Sequence, residues 1–156
     1  MRLLAGRVGQ VINYQSLSND VGVDAKTIKQ WISILEASYL VFALSPYFEN
    51  FGKRMIKSPK YYFTDTGSLC YLLGLEKKEQ VSRDPLVGNL FENLVVLEAL
   101  KARYNRGLSP NLYFSRDSQG HEIDLLWSSG RELTGVEIKS ASTWTSGFKK
   151  ELLRYS

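Results

Sequence analysis

Three ionisable side chains stand inside runs that are otherwise strand-forming. Asp124 interrupts the apolar stretch of Ile123 and Leu125, Leu126 and Trp127, and Glu137 and Lys139 flank Ile138. Side chains alternate along a strand with period two, so Glu137 and Lys139 share one face. Neighbouring strands lie about 4.8 Å apart, which lets Asp124 approach Glu137 if the two strands pair in suitable register. Two carboxylates that close repel unless a proton or a cation lies between them. Magnesium suits such a pair, because it takes oxygen ligands and keeps several waters. With metal–oxygen bonds of about 2.1 Å, the two carboxylates are expected roughly 4–5 Å apart. The carbonyl of Ile138 is a further candidate ligand. Lys139 can then position or deprotonate an attacking water, or offset charge building on a phosphate. The competing reading is an ion-pair cluster without metal, in which Lys139 neutralises one carboxylate.

Other polar residues nearby have weaker claims. Glu122 is expected to point away from the metal if Asp124 points inward, or to take its place in a shifted register. Arg116 could meet a phosphate and Ser140 could touch the metal's surroundings, while His121 reads as a surface residue beside a turn.

The elements that must position these residues follow from pattern. Residues 88–104 form a helix with Leu90, Leu94, Leu97 and Leu100 on an apolar face, and Gly107 suits its C-terminal turn. Strands are expected at 111–114, 122–127 and 133–140, separated by turn-forming residues at 117–120 and 128–130. An apolar helix face returns with Phe148, Leu152, Leu153 and Tyr155.

The first half has a different rhythm. Leu3, Leu4, Val8, Val11 and Ile12 recur at helical spacing, and Ser16 is expected to cap a short second helix. Gly22 supplies a turn, Asp24 caps a third helix, and Ile28, Trp31, Ile32 and Leu35 form its stripe, with Trp31 and Trp127 read as core. β-forming runs at 39–44 and 60–63 then make a hairpin. Helix, helix, turn, helix and hairpin are the layout of a winged helix–turn–helix. The expected DNA contacts are Lys26, Lys29 and Gln30 on the third helix, with Lys53, Arg54, Lys57 and Lys60 around the wing.

Composition limits the alternatives. The chain has 156 residues, net charge +4, 44% hydrophobic residues and 12% aromatics, the profile of a folded protein able to meet nucleic acid. One cysteine and one histidine exclude a disulfide framework and polyhistidine metal sites. No run is long and apolar enough for a membrane span, no signal peptide is visible, and a cytoplasmic location is expected. The polar stretch near residue 80 marks a boundary. The expected domains are a winged helix at 1–66, a connector at 67–85 and a second domain at 86–156.

Glu137-Ile138-Lys139, with Asp124 on the preceding strand, resembles the E-x-K element of the PD-(D/E)XK phosphodiesterases. That resemblance implies that Glu92 on the first core helix is a ligand or water-orienting group. Asn13-Tyr14, Lys57-Ser58-Pro59-Lys60, Thr64-Asp65-Thr66-Gly67, Gly88-Asn89-Leu90-Phe91-Glu92-Asn93 and Glu122-Ile123-Asp124, taken in order, are similar to the C-terminal region of a family of prokaryotic AAA-type ATPases. The implied fold is α/β (α+β): a winged helix–turn–helix followed by a PD-(D/E)XK nuclease-like αβββα core, truncated at its end. The implied activity is magnesium-dependent hydrolysis of DNA, with catalytic Asp124, Glu137, Lys139 and Glu92, and metal held by Asp124, Glu137 and Ile138. The alternative is a non-catalytic regulatory or protein-interaction module. No G-x-x-x-x-G-K-[ST] loop occurs, so ATP is expected only through an upstream ATPase domain. The sequence leaves oligomerisation open.

Overall fold

The computed structural model describes residues 1–47, 57–117, 120–130 and 132–141. Its first helix, α1 (Arg2–Ala5), is a single turn, shorter than the apolar spacing predicts. Gly9 takes φ +68°, a left-handed conformation that glycine adopts without a Cβ penalty. The chain turns there, and Val11 runs extended, bridged to Lys60. Leu4, Ala5, Val8 and Ile12 are buried all the same.

The cap of α2 (Tyr14–Val21) is Asn13, whose side chain accepts from the Ser16 amide at 2.9 Å. This corrects the expected Ser16 cap; asparagine upstream is as good an acceptor and starts the helix earlier. Asp24 caps α3 (Ala25–Ala37) as expected, accepting from the Thr27 amide at 2.8 Å. Ile28 and Ile32 are buried, but Trp31 is 48% exposed rather than core. It lies on the flank of the stripe that Ile28, Ile32 and the half-buried Leu35 define. Strands β1 (Val41–Pro46) and β2 (Lys60–Phe63) then pair antiparallel, Val41 opposite Phe63 and Leu44 opposite Lys60.

The expected connector is largely helical, with α4 (Thr66–Leu72) capped by Asp65, followed by α5 (Lys78–Arg83). The long helix α6 (Val87–Asn105) leads to β3 (Leu112–Arg116), β4 (Glu122–Ser129) and β5 (Glu132–Val136). The strand order is β2-β1-β3-β4-β5; β1 runs parallel to β3, with Ser45 opposite Tyr113, and the other pairs are antiparallel. The fold is thus α+β, with six helices and a five-stranded mixed sheet among the described residues.

The expected division at 67–85 does not extend to the packing. One sheet crosses it, and one hydrophobic core runs from Leu4 through Phe63 and Leu90 to Ile138. Without the β1–β3 pairing, both strands would leave edge amides and carbonyls unpaired. Helix α6 is also fastened to the first half by two asparagines four residues apart on one helix face. Asn89 Nδ2 donates to the Val8 carbonyl at 3.0 Å, and Asn93 accepts from the Phe63 amide at 2.7 Å and donates to its carbonyl at 3.1 Å.

All four residues of β2 are buried because both of its faces are covered. Tyr61 turns toward the helix–turn–helix, its hydroxyl 3.1 Å from that of Tyr14. Lys60 and Tyr62 turn toward α6. Among the described residues no helix is long and apolar enough to cross a membrane. The helix expected from Phe148, Leu152, Leu153 and Tyr155 lies outside the described residues.

Candidate functional site

The β4–β5 ladder runs from Ser129↔Glu132 to Leu125↔Val136, and one step further its register sets Asp124 against Glu137. At that step the ladder stops, so β5 ends before the E-x-K residues instead of continuing to Ser140. The Ile138 amide donates to Asp124 Oδ2 at 2.8 Å, the side chain standing in for a backbone acceptor. Lys139 then lies between the two carboxylates. Its Nζ is 3.7 Å from Asp124 Oδ2 and in contact with Glu137 Oε1.

A second group adjoins the first. Lys60 contacts both Glu92 of α6, at 2.9 Å, and Glu122 of β4, and Arg116 Nη1 reaches Glu122 Oε2 at 3.2 Å. Tyr62 donates to Glu92 Oε1 at 2.5 Å. Two expectations are corrected here. Glu122 faces the same side as Asp124, since residues two apart on a strand share a face. Lys60 is no wing contact for DNA; its side chain is 2% exposed and enclosed by carboxylates and the Phe114 ring. A lysine opening an all-aromatic strand (Tyr61, Tyr62, Phe63) was the available signal. It is the same signature of a polar group in a buried run that marks Asp124. Tyr62 carried no such mark.

Glu92, Glu122, Asp124 and Glu137 face three cations, Lys60, Arg116 and Lys139. An excess of negative charge in a poorly solvated place explains shifts on both sides. Burial pushes the carboxyls of Glu92 and Glu137 above the usual range, even against the adjoining lysines. Burial pulls the Lys60 and Lys139 ammonium groups down, but the surrounding carboxylates outweigh it and raise both. Burial, then the Glu92 charge, lifts the Tyr62 phenol well above its ordinary value and keeps it a donor.

Among the described residues no three acidic, histidine or cysteine side chains converge as a ready cage for a metal. Magnesium commonly uses only one or two protein carboxylates, with water and substrate completing its shell. Asp124 and Glu137 supply that pair, and Glu137 Oε2 is buried without a hydrogen-bond partner. An orphaned carboxylate oxygen and an all-oxygen donor set fit a hard divalent cation, with the Ile138 carbonyl adjacent in the chain.

The same arrangement predicts a cost to stability. An unfolded glutamate ionises near 4.5, and folded Glu137 lies above that. As pH rises past this value the unfolded chain releases its proton first, so the fold loses stability until the folded group ionises too. Glu137→Gln has no proton to release. In urea melts it is expected to be more stable than the parent at pH 7. The gap should close below pH 4.5; a variant less stable than the parent at pH 7 refutes it.

Lys26, Lys29 and Gln30 are exposed on α3, as is Lys57 before β2. The Lys29 ammonium stands 5.1 Å from the centre of the Tyr14 ring, beside an open groove of about 510 Å³ lined by Asn13, Tyr14, Lys29 and Ser58 among others. Lys53 and Arg54 lie outside the described residues. His121 pairs with Asp117, Nδ1 to Oδ2 at 2.8 Å, and Ser140 is exposed near the start of α6. Neither is drawn into the carboxylate cluster.

Residues 87–156 match the family described as Domain of unknown function (DUF4143). An uncharacterized protein of Mycobacterium bovis (strain ATCC BAA-935 / AF2122/97) and one of Mycobacterium tuberculosis (strain ATCC 25618 / H37Rv) are each 37% identical over 142 residues. That stretch is 90% of this chain and 31% of either relative, so the chain spans less than a third of their length. No solved structure matches the chain. Residues 1–79 match the family described as Domain of unknown function (DUF8612), and the chain belongs to that family.

Proposed function

We propose that this chain is the DNA-directed C-terminal part of a longer, cytoplasmic AAA-type ATP-binding protein. Its helix–turn–helix docks on DNA, and its carboxylate–lysine site hydrolyses phosphodiesters with magnesium. One observation carries the reading: Asp124, Glu137 and Lys139 meet on one face, with Glu92 brought toward them from α6. The ordered motifs similar to AAA-type ATPase C-terminal regions, and the greater length of the relatives, support the upstream domain.

Asp124 and Glu137, with the Ile138 carbonyl, would hold the cation. Bound magnesium would polarise the phosphate and acidify a water. Lys139, half-exposed and free to leave Glu137, offers an ammonium to the attacking water or to the phosphate. Glu92, facing the same opening, would serve as a further ligand or orient a water of the cation's shell.

A second reading, a regulatory or protein-docking module, is favoured by a specific feature. Trp31 and Ile34 are 48% and 60% exposed on α3, the helix that would enter the major groove. Supercoiled plasmid separates the two. Magnesium-dependent nicking that a chelator stops supports the first reading, whereas intact plasmid and salt-insensitive or absent DNA binding support the second. If Lys26 and Lys29 contact phosphates, replacing both by alanine reduces the slope of log affinity against log salt by about 2.

A further inference from the structure

Glu92 is held from the other half of the chain. Its Oε1 accepts from Lys60 Nζ at 2.9 Å and from Tyr62 Oη at 2.5 Å. Both donors belong to β2, two residues apart and on one strand face. A Cβ on Gly9 would stand 3.3 Å from the same oxygen, so the first turn of the chain closes the remaining side. Lys60 also grips Glu122 of β4. It thereby ties α6 to the strand that carries Asp124.

The two lysines of the cluster differ in freedom. Lys139 has a side chain 42% exposed and can swing, whereas Lys60, at 2%, is locked among its partners. A locked ammonium and a phenol on Oε1 hold the Glu92 carboxylate in place, close enough to Asp124 and Lys139 to interact with both charges.

We propose that Lys60 and Tyr62 are positioning residues of the carboxylate site, which aim Glu92 at Asp124 and Lys139. The site is then composite: the helix–turn–helix half completes the metal environment of the C-terminal half. This rests on the metal-site reading above. Hydrogen-bonding partners of metal-site carboxylates act in this way through the groups they hold.

The test is Mn²⁺ affinity of the whole chain, read from the free-ion electron paramagnetic resonance signal, with a thermal melt of each variant. Lys60→Met and Tyr62→Phe should each weaken Mn²⁺ binding about 10- to 100-fold while remaining folded. Leu100→Ala, a core truncation away from the cluster, should lower the melting temperature and leave Mn²⁺ affinity unchanged. Tyr62→Phe removes a single hydroxyl, so it decides the matter if Lys60→Met does not fold. Parent-like affinity in the folded variants overturns the positioning role alone. An equal loss in Leu100→Ala overturns it as general destabilisation. A parent that binds no Mn²⁺ removes the metal reading, and this inference with it.

Discussion

Lys139→Ala is expected to reduce magnesium-dependent DNA cleavage by about 10²–10⁴-fold, the usual contribution of a positioned proton-transfer or charge-stabilising group. Mn²⁺ affinity should hold or rise. The reason for this divergence is geometric. Lys139 now lies between Asp124 and Glu137, so its ammonium competes for the oxygens a cation would use. Removing it frees both carboxylates while deleting the group that meets water or phosphate. Asp124→Asn should behave differently and weaken binding and cleavage together. It removes a ligand charge and puts an amide where the Ile138 N–H expects a carboxylate acceptor. Nicking assays and Mn²⁺ titrations on the same preparations separate the cases. Parent-level cleavage by Lys139→Ala would sink the catalytic assignment, and a fall in its metal affinity would sink the competition argument.

A contrast between the two lysines also shows what the sequence could reveal. The meeting of Asp124, Glu137 and Lys139 was legible because a carboxylate in an apolar run is costly unless paired, although the strand alternation that joins Glu137 to Lys139 in sequence ends with β5 at Val136. The capped helices of the first half were legible for a similar reason: Asp24, Gly22 and the stripe from Ile28 act within one or two turns, whereas the hairpin expected as a wing supplies β1 and β2 to the five-stranded sheet. Lys60 was misplaced because its environment is built by partners far along the chain, Glu92 and Glu122, which no local pattern joins to it. Glu122 needs no distant partner to be placed: two residues from Asp124 on β4, it shares that residue's face. The continuity of the sheet was hidden for a related reason. The parallel pairing of β1 with β3 depends on α4 to α6 carrying the chain back across the sheet, and composition near residue 80 signals only that the surface there is polar.

That continuity changes how the two family matches are understood. They part across α5, yet the residues that make the candidate site come from both sides: Lys60 and Tyr62 from one, Glu92, Glu122, Asp124, Glu137 and Lys139 from the other. The motif of Gly88 to Asn93 is explained by the same boundary. Asn89, Glu92 and Asn93 lie on one face of α6 and each bonds to the first half. What reads in sequence as a helix of the second domain is in the fold its seam with the first.

Asn93→Ala should therefore be among the most damaging single substitutions in the chain, although Asn93 has no part in the chemistry. β2 is an edge strand, and the Phe63 amide and carbonyl point away from β1 with no next strand to pair them. The Asn93 side chain, fully buried, supplies a peptide-like acceptor and donor to these two groups, at 2.7 Å and 3.1 Å. Alanine leaves both orphaned in a dry place, each costing about 1–3 kcal/mol, for a total of about 2–6 kcal/mol. Against a typical stability of about 5–15 kcal/mol this is a large fraction, and the edge left open is a template for aggregation. Urea melts of Asn93→Ala beside Glu98→Ala, an exposed position on the same helix, measure the effect, and a loss below about 1 kcal/mol would contradict it. Asn93→Asp sharpens the test. Its carboxylate can still accept from the Phe63 amide but meets the Phe63 carbonyl with a lone pair and brings a charge into the core. Burial raises the folded pKa of such a group, so its penalty is full above that value and shrinks as pH falls toward the unfolded one, where the protonated form can donate to the carbonyl. Recovery of stability on acidification, absent from Asn93→Ala, is the signature that the amide acts as a strand mimic rather than as filler.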